Sequence, residues 1–243
     1  YFDRVRRAGC KDLVLVEGLF DAALLQTKGE TGVIACMGAQ FSGAQVETLE
    51  RHGVQSVTIC LDPDGAGEKG TLACIKSLYA KGINAYVAPV LPEGMDPDEY
   101  VLAHGLDAWH ELIAKRDHAF RYKARVMVAQ HKGAAWTDAG LAACLDEAIA
   151  FDAAVHNPAR LTDLAVFFWP EIQQATGVDM DAVSARVEAS RAKTEAERER
   201  REYEHLVQRA DNKLLDGDLE GAKELLREET DRLREEERHW HAE

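Results

Sequence analysis

No apolar run in this sequence approaches the roughly 20 residues that a membrane-spanning helix needs, so an integral helical membrane protein is excluded and no membrane partner is expected. No signal peptide opens the chain either. Its first residue is Tyr1 rather than Met, so it reads as a piece of a longer protein. Paired cysteines are also missing. Cys10, Cys36, Cys60, Cys74 and Cys144 are odd in number and none forms a CxxC spacing. Most lie in apolar segments, where a free thiol behaves as a small hydrophobe. A disulfide framework is excluded, no zinc is expected in this chain, and a reducing cytoplasm fits. Positive charge is scarce as well: 29 Lys and Arg face 43 Asp and Glu, for a net charge of −14. Proteins that grip duplex nucleic acid unaided are usually basic. Nucleic-acid contact here needs a local basic patch, bound cations or another domain, which weighs against a stand-alone polymerase or nuclease.

What is present is a chain of 243 residues with ordinary hydrophobic content, enough for one moderate domain and a small second one. Leu13-Val14-Leu15-Val16 reads as a buried strand. A helix from Leu19 to Thr27 follows, ended by Gly29. Val33 to Cys36 is a second strand, Val57 to Leu61 a third and Ile83 to Val90 a fourth. Between them, Ser42 caps a helix to His52, and a Gly-rich turn leads into a helix from Glu68 to Ala80. Pro97 sits in the first turn of a helix to His104, Gly105 stops it, and another helix runs from Leu106 to Lys115. Strands alternating with helices predict a parallel α/β sheet with right-handed crossovers.

The second half has no comparable strands. Residues 120–130, 141–151, 160–176 and 180 onward read as helices, punctuated by Asn157-Pro158 and Gly177. Residues 182–208 form one long charged helix, a spacer towards something downstream. After the turn Asp216-Gly217-Asp218, a last helix over 219–238 closes an antiparallel hairpin. Trp136, Phe167, Phe168 and Trp169 are expected to pack a helical core. Arg4, Arg6, Arg7 and Lys11 make a small basic cluster, read as solvated surface. His239 and His241 flank Trp240 but share no helix face well, which argues against a metal site there.

Chemistry concentrates in acids at strand ends. In an open α/β sheet, ligands bind at the carboxyl ends of the strands. Glu17 follows the first strand, Asp62 and Asp64 follow the third, and Asp96 and Asp98 lie in the loop after the fourth. Five like charges at one edge would raise one another's pKa values, and a divalent cation would relieve them. Magnesium takes one or two carboxylates, keeps waters and accepts phosphate oxygens. Gly18, Gly65 and Gly67 flank the acids and allow backbone to approach a phosphate closely. Asp62-Pro63-Asp64-Gly65 alone is compatible with a simple turn. The constellation carries the metal reading.

These residues carry a resemblance. Val14-Leu15-Val16-Glu17-Gly18-Leu19-Phe20-Asp21 resembles the EGxxD element of a TOPRIM domain, and Leu61-Asp62-Pro63-Asp64-Gly65-Ala66-Gly67 its DxDxAG element. Leu91-Pro92-Glu93-Gly94-Met95-Asp96-Pro97-Asp98-Glu99-Tyr100 is similar to the LPxGxDPDE segment of the bacterial DnaG-type primase branch. Cys36-Met37-Gly38-Ala39-Gln40-Phe41-Ser42 sits where that branch has a Gly-containing loop. The resemblance covers Lys11 to Arg116, and a looser one, to the helical subdomain of these primases, continues to about Glu188. It implies a TOPRIM domain over 1–116, a helical subdomain over 117–190, and a charged helical hairpin or connector over 191–243.

The resemblance implies a magnesium-dependent (or manganese-dependent) nucleotidyl-transfer module that makes RNA primers once joined to a template-binding region. Glu17 would be the general acid/base or a metal-linked carboxylate. Asp62 and Asp64 would be direct metal ligands, and Asp21, Asp96 and Asp98 supporting acids. Nucleoside triphosphates, a single-stranded DNA template and a replicative helicase are the implied partners. Two departures bear on this. Pro63 replaces the usual glycine and removes an N–H, and Glu68 stands where the branch often has a basic residue. The family's zinc-binding module and basic half-core have no counterpart in the sequence. A TOPRIM metal-dependent nuclease, or a degenerate TOPRIM scaffold for a replication partner, remain alternatives.

Overall fold

The computed structural model describes residues 2–227 and 231, apart from residues 39, 40, 63 and 156 and the side chains of residues 93, 158 and 159. Pro63, Ala39 and Gln40, the remainder of the predicted last helix, and His239, Trp240 and His241 therefore lie outside the described residues.

The chain divides into two compact units, residues 1–144 with 159–177, and residues 145–158 with 178–243.

In the first unit, β1 (Asp12–Val16), β2 (Val33–Ala35), β3 (Ser56–Cys60) and β4 (Asn84–Val87) are parallel. The sheet order is β2-β1-β3-β4-β5. Strands β1 and β3 are buried on both faces: β1 by its apolar run over residues 13–16, and β3 with buried Ser56 and Thr58 hydrogen-bonded to Asp12 and Arg116. Successive side chains alternate between faces. Leu13, Leu15, Val57 and Ile59 pack with Val46, Leu49, Cys74 and Leu78 on one side. Val14, Val16 and Cys60 pack with Ala22, Leu25 and Trp109 on the other. The helices supplying those partners are α2 (Leu19–Lys28), α3 (Gly43–Arg51), α4 (Gly65–Ala80) and α5 (Pro97–Ala114).

Several elements differ from expectation. A short helix, α1 (Phe2–Ala8), carries Arg4, Arg6 and Arg7, and Arg6 pairs with Asp3 at 3.3 Å. The fourth strand is only four residues long. Helix α4 starts at Gly65 rather than Glu68, because Asp64 caps it. A fifth strand, β5 (Asp117–His118), closes the sheet antiparallel to β4. Within α5, Gly105 takes φ 84° and ψ 172°, breaking the helix at the expected glycine.

The remaining elements of this unit are α6 (Ala119–Lys132), the first turns of α7 (Asp138–Ala153), α8 (Pro158–Asp163), a π-helical stretch over Leu164–Phe168 and α9 (Trp169–Thr176). Phe168 and Trp169 are buried, Phe167 stacks on His118, and Trp136 donates to the Ala175 carbonyl at 2.8 Å.

The second unit contains the end of α7 and the 36-residue helix α10 (Met180–Leu215). Arg191 bonds the buried Asp152 at 2.6 Å. Solvent-facing pairs such as Arg200–Glu204 lace α10 at helical spacing. A turn at Asp216 leads to a helix over residues 219–227. Among the described residues no helix is long and apolar enough to cross a membrane.

Candidate metal and nucleotide site

All six acids singled out from the sequence fall at the carboxyl-end edge of the sheet. Val16 pairs in register with Cys60, so Glu17 leaves β1 level with the start of the Asp62 loop beside it. Asp62 and Asp64 follow β3, while Asp96 and Asp98 open α5.

Burial raises the Glu17 carboxyl above the usual carboxylate range, and the charges of Asp62, Asp64 and Asp96 raise it further. Asp96 is shifted up in the same way, first by burial, then by Asp62, Glu99 and Asp98. Asp21 is pushed up to about 6, chiefly by burial, although the Asp98 N–H it accepts works in the other direction. That bond, at 3.4 Å, ties the start of α2 to the start of α5. The mutual repulsion expected from the sequence is therefore present at Glu17, Asp21 and Asp96.

These carboxylates do not form a preformed cage. Among the described residues no group of three or more His, Cys, Asp or Glu side chains is drawn together to hold a metal ion. Like charges keep apart without a cation, and several acids have backbone duties. Asp64 Oδ1 accepts the Gly67 N–H at 2.7 Å, and a Glu99 carboxylate oxygen accepts the Asp96 N–H at 3.3 Å. The donor set nevertheless fits a hard divalent cation. It is all oxygen, it carries surplus negative charge, and Asp62, Asp64 and Asp96 are exposed, leaving room for waters and phosphate oxygens.

The three glycines are not equivalent. Gly67 is buried, and a Cβ there would collide with the Asp62 carbonyl oxygen. At Gly18 a Cβ would run into the Asp21 carboxylate. Gly65 faces open space, so packing does not demand glycine there. Gly65 and Gly67 occupy the first turn of α4, where backbone N–H groups lack intrahelical partners.

A cavity of about 220 Å3 opens beside Asp62 and Asp64. Its wall comes from the segment after β4, from Met95, and from Glu68, Thr71 and Tyr122. Sequence reasoning noted Glu68 only as a departure and missed Tyr122, which belongs to α6. The only available signal was the aromatic residue one helical turn into a predicted helix.

Residues 14–101 match a family model described as Toprim-like. A DNA primase of Streptomyces coelicolor is 34% identical over 157 residues, covering 63% of this chain. The chain spans 24% of that relative's length. A crystal structure of a DNA primase domain from Pseudomonas aeruginosa shares the fold with a TM-score of 0.59 at 23% identity, over 76% of this chain and 56% of that one. A DnaG primase catalytic domain solved bound to single-stranded DNA gives 0.60 at 21% identity, over 72% and 54%. Residues 14–101 thus carry a Toprim-like domain, and the chain is similar to the TOPRIM region of DnaG-type DNA primases.

Proposed function

We propose that this chain is the metal-dependent nucleotidyl-transfer module of a DNA primase, forming RNA primers together with a template-binding region. The observation that carries the reading is the state of Glu17. Its appreciable charged neighbours are Asp62, Asp64 and Asp96, all negative, so the edge calls for a cation. Asp62 and Asp64 would hold the ion, with Glu17, Asp21, Asp96 and Asp98 holding a second ion or orienting the first. Magnesium, or manganese in its place, would supply charge neutralisation for the triphosphate and polarisation of the reacting phosphoryl group.

The chain's own residues supply the rest. Glu17, at the end of β1 beside the Asp62 loop, would act as general acid/base for the attacking hydroxyl or as a metal-linked carboxylate. The first turn of α4 offers backbone N–H groups and the positive end of a helix to phosphate oxygens. Nucleoside triphosphates and a single-stranded DNA template are the proposed substrates, and a replicative helicase the proposed partner.

The test is a thermal melt of the chain titrated with MgCl2 or MnCl2. A ligand that binds only the folded state raises Tm with concentration. The wild-type chain should show that rise, and a protein carrying Asp62→Asn and Asp64→Asn should not. An equal rise in both would overturn the assignment and favour a scaffold. Cleavage of single-stranded DNA without nucleoside triphosphates would favour a nuclease.

A further inference from the structure

The cavity beside Asp62 and Asp64 has a composition that phosphate and metal binding do not explain. Its floor is apolar: Val87, Ala88, Pro89 and Val90 line it, with Leu91 and Met95 alongside. An anion site has no use for such a floor, and a hydrated cation still less. At about 220 Å3 it exceeds many times the roughly 30 Å3 share of one water. It falls below the ~300 Å3 at which drug-sized ligand pockets begin. That is room for one planar ring system, not for a whole nucleotide.

The polar side chains that line it are Asp62, Asp64, Glu68, Thr71 and Tyr122. Tyr122 is half-buried, and its side chain bonds that of Thr71. Glu68 stands in the same wall, with the Gln130 amide 3.5 Å from its Oε1. An ionised carboxylate only accepts hydrogen bonds, and it accepts two parallel donors best. Among the four RNA bases, guanine alone carries two adjacent donors on its pairing edge, the ring N–H and the exocyclic amine. Adenine and cytosine pair a donor with an acceptor, and uracil sets its single N–H between two carbonyls.

Building on the nucleotidyl-transfer reading, we infer that this cavity is a base-recognition pocket for a nucleotide whose phosphates lie at Asp62 and Asp64, with Glu68 selecting guanine. The base lies against the apolar floor and Tyr122, as bases do on aromatic and apolar platforms. A guanine held by its pairing edge is not paired with a template. The pocket therefore acts on the nucleotide before templating, and it favours a guanine nucleotide at that stage.

Calorimetric titrations in MgCl2 test this, using inorganic tripolyphosphate, GTP, ITP, ATP, CTP and UTP, with guanosine added as a phosphate-free probe. GTP should bind at least tenfold tighter than UTP and tighter than ITP, which lacks the exocyclic amine. Glu68→Gln should collapse the GTP preference and leave tripolyphosphate binding unchanged. Tyr122→Ala should weaken all the nucleotides but not tripolyphosphate. Circular dichroism melts near the wild-type Tm certify that each variant is folded. Equal affinity for tripolyphosphate and every nucleotide, or a GTP preference that survives Glu68→Gln, overturns the pocket while sparing the metal site. Guanosine binding without any magnesium-dependent tripolyphosphate binding does the reverse: it supports the pocket and sinks the reading of the acids.

Discussion

Asp64 Oδ1 accepts the Gly67 backbone N–H at 2.7 Å, so the same carboxylate that is proposed to meet a metal also caps α4. One residue serves fold and chemistry, and the two roles separate by substitution. Asparagine caps a helix about as well as aspartate, whereas alanine forfeits ~1 kcal/mol. Asp64→Asn should therefore leave the metal-free urea midpoint close to wild type, while Asp64→Ala lowers stability by about that amount. Both should lose most of the magnesium-induced rise in Tm. A full rise in Asp64→Asn would remove Asp64 from the ligand set.

Gly67 and Gly65 offer a second contrast within one helical turn. A methyl group at Gly67 would overlap the Asp62 carbonyl oxygen, which is backbone and cannot swing aside. Gly67→Ala should cost about 1–3 kcal/mol, the usual range for overpacking, and should move the loop bearing Asp62. Gly65→Ala meets open space and should be neutral or stabilising by up to about 1 kcal/mol, since it restricts the unfolded chain. Equilibrium urea unfolding of the two variants would check the order. Equal losses would show that the crowding at Gly67 is relieved by other means.

A pH dependence follows from His118. Its Nδ1 accepts the Phe120 N–H at 3.2 Å at the start of α6, and its ring stacks on Phe167 with centroids 4.1 Å apart. Burial lowers its pKa below the ordinary histidine value, and the positive charges of Arg160 and Arg121 add to that, against Asp163 and Asp117. The folded state thus prefers the neutral ring, and a protonated Nδ1 could not accept the Phe120 N–H. This contribution is fully present above the unfolded value near 6.5 and is lost as pH falls from there through the lowered folded pKa. Asp21, with its folded pKa raised to about 6, works in the opposite sense, disfavouring the folded state as pH rises. The informative quantity is therefore the difference between wild type and His118→Asn, which keeps a capping oxygen. That difference should grow in favour of the variant as pH falls below about 6.5. Parallel Tm curves for the two proteins would refute the assignment.

The link between Asp21 and Asp98 gives a fourth prediction. Asp21→Asn removes a carboxylate whose ionisation is costly, yet its side-chain oxygen can still accept the Asp98 N–H. At pH 7 and without metal, the variant should melt above wild type, because ionised Asp21 no longer opposes folding. Magnesium should narrow that gap by stabilising the wild-type acids. Differential scanning fluorimetry with and without MgCl2 would measure both.

Strands β1 and β3 were legible because both are buried on both faces and so are rich in apolar and β-branched residues, Thr58 being the one polar interruption within residues 57–60. The break in α5 was legible because only glycine takes the conformation found at Gly105. Glu17, Asp62 and Asp64 were readable at the sheet's edge because they follow β1 and β3 within a few residues, whereas Asp21, inside α2, was reached only through the resemblance. Other features carry no comparable signal. β5 is two polar residues long and exists because β4 offers an edge to pair with. The early start of α4 hides in a glycine-rich stretch that reads as a turn until Asp64 is seen to cap it. The π-helical stretch has the same apolar composition as the α-helix around it. The arrangement of the acids was legible as an edge but not as a cage, since like charges and capping bonds hold them apart. The cavity joins Glu68 to Tyr122 across two helices, a proximity that only tertiary packing creates.

The sheet order has a further consequence for how the protein comes apart. The strands that carry Glu17 and Asp62, β1 and β3, are both interior, each with neighbours on both sides, and β3 is the central strand of the five. Interior strands exchange their amide protons only through the largest openings, whereas edge strands fray at little cost. Hydrogen exchange should therefore release β2 and β5 first, with the Val14 amide that bonds the Gly32 carbonyl beside β2, and the amides of Leu13, Leu15, Thr58 and Cys60 between β1 and β3 last. The acidic edge should then survive every partial opening of the sheet and vanish only when the whole unit unfolds.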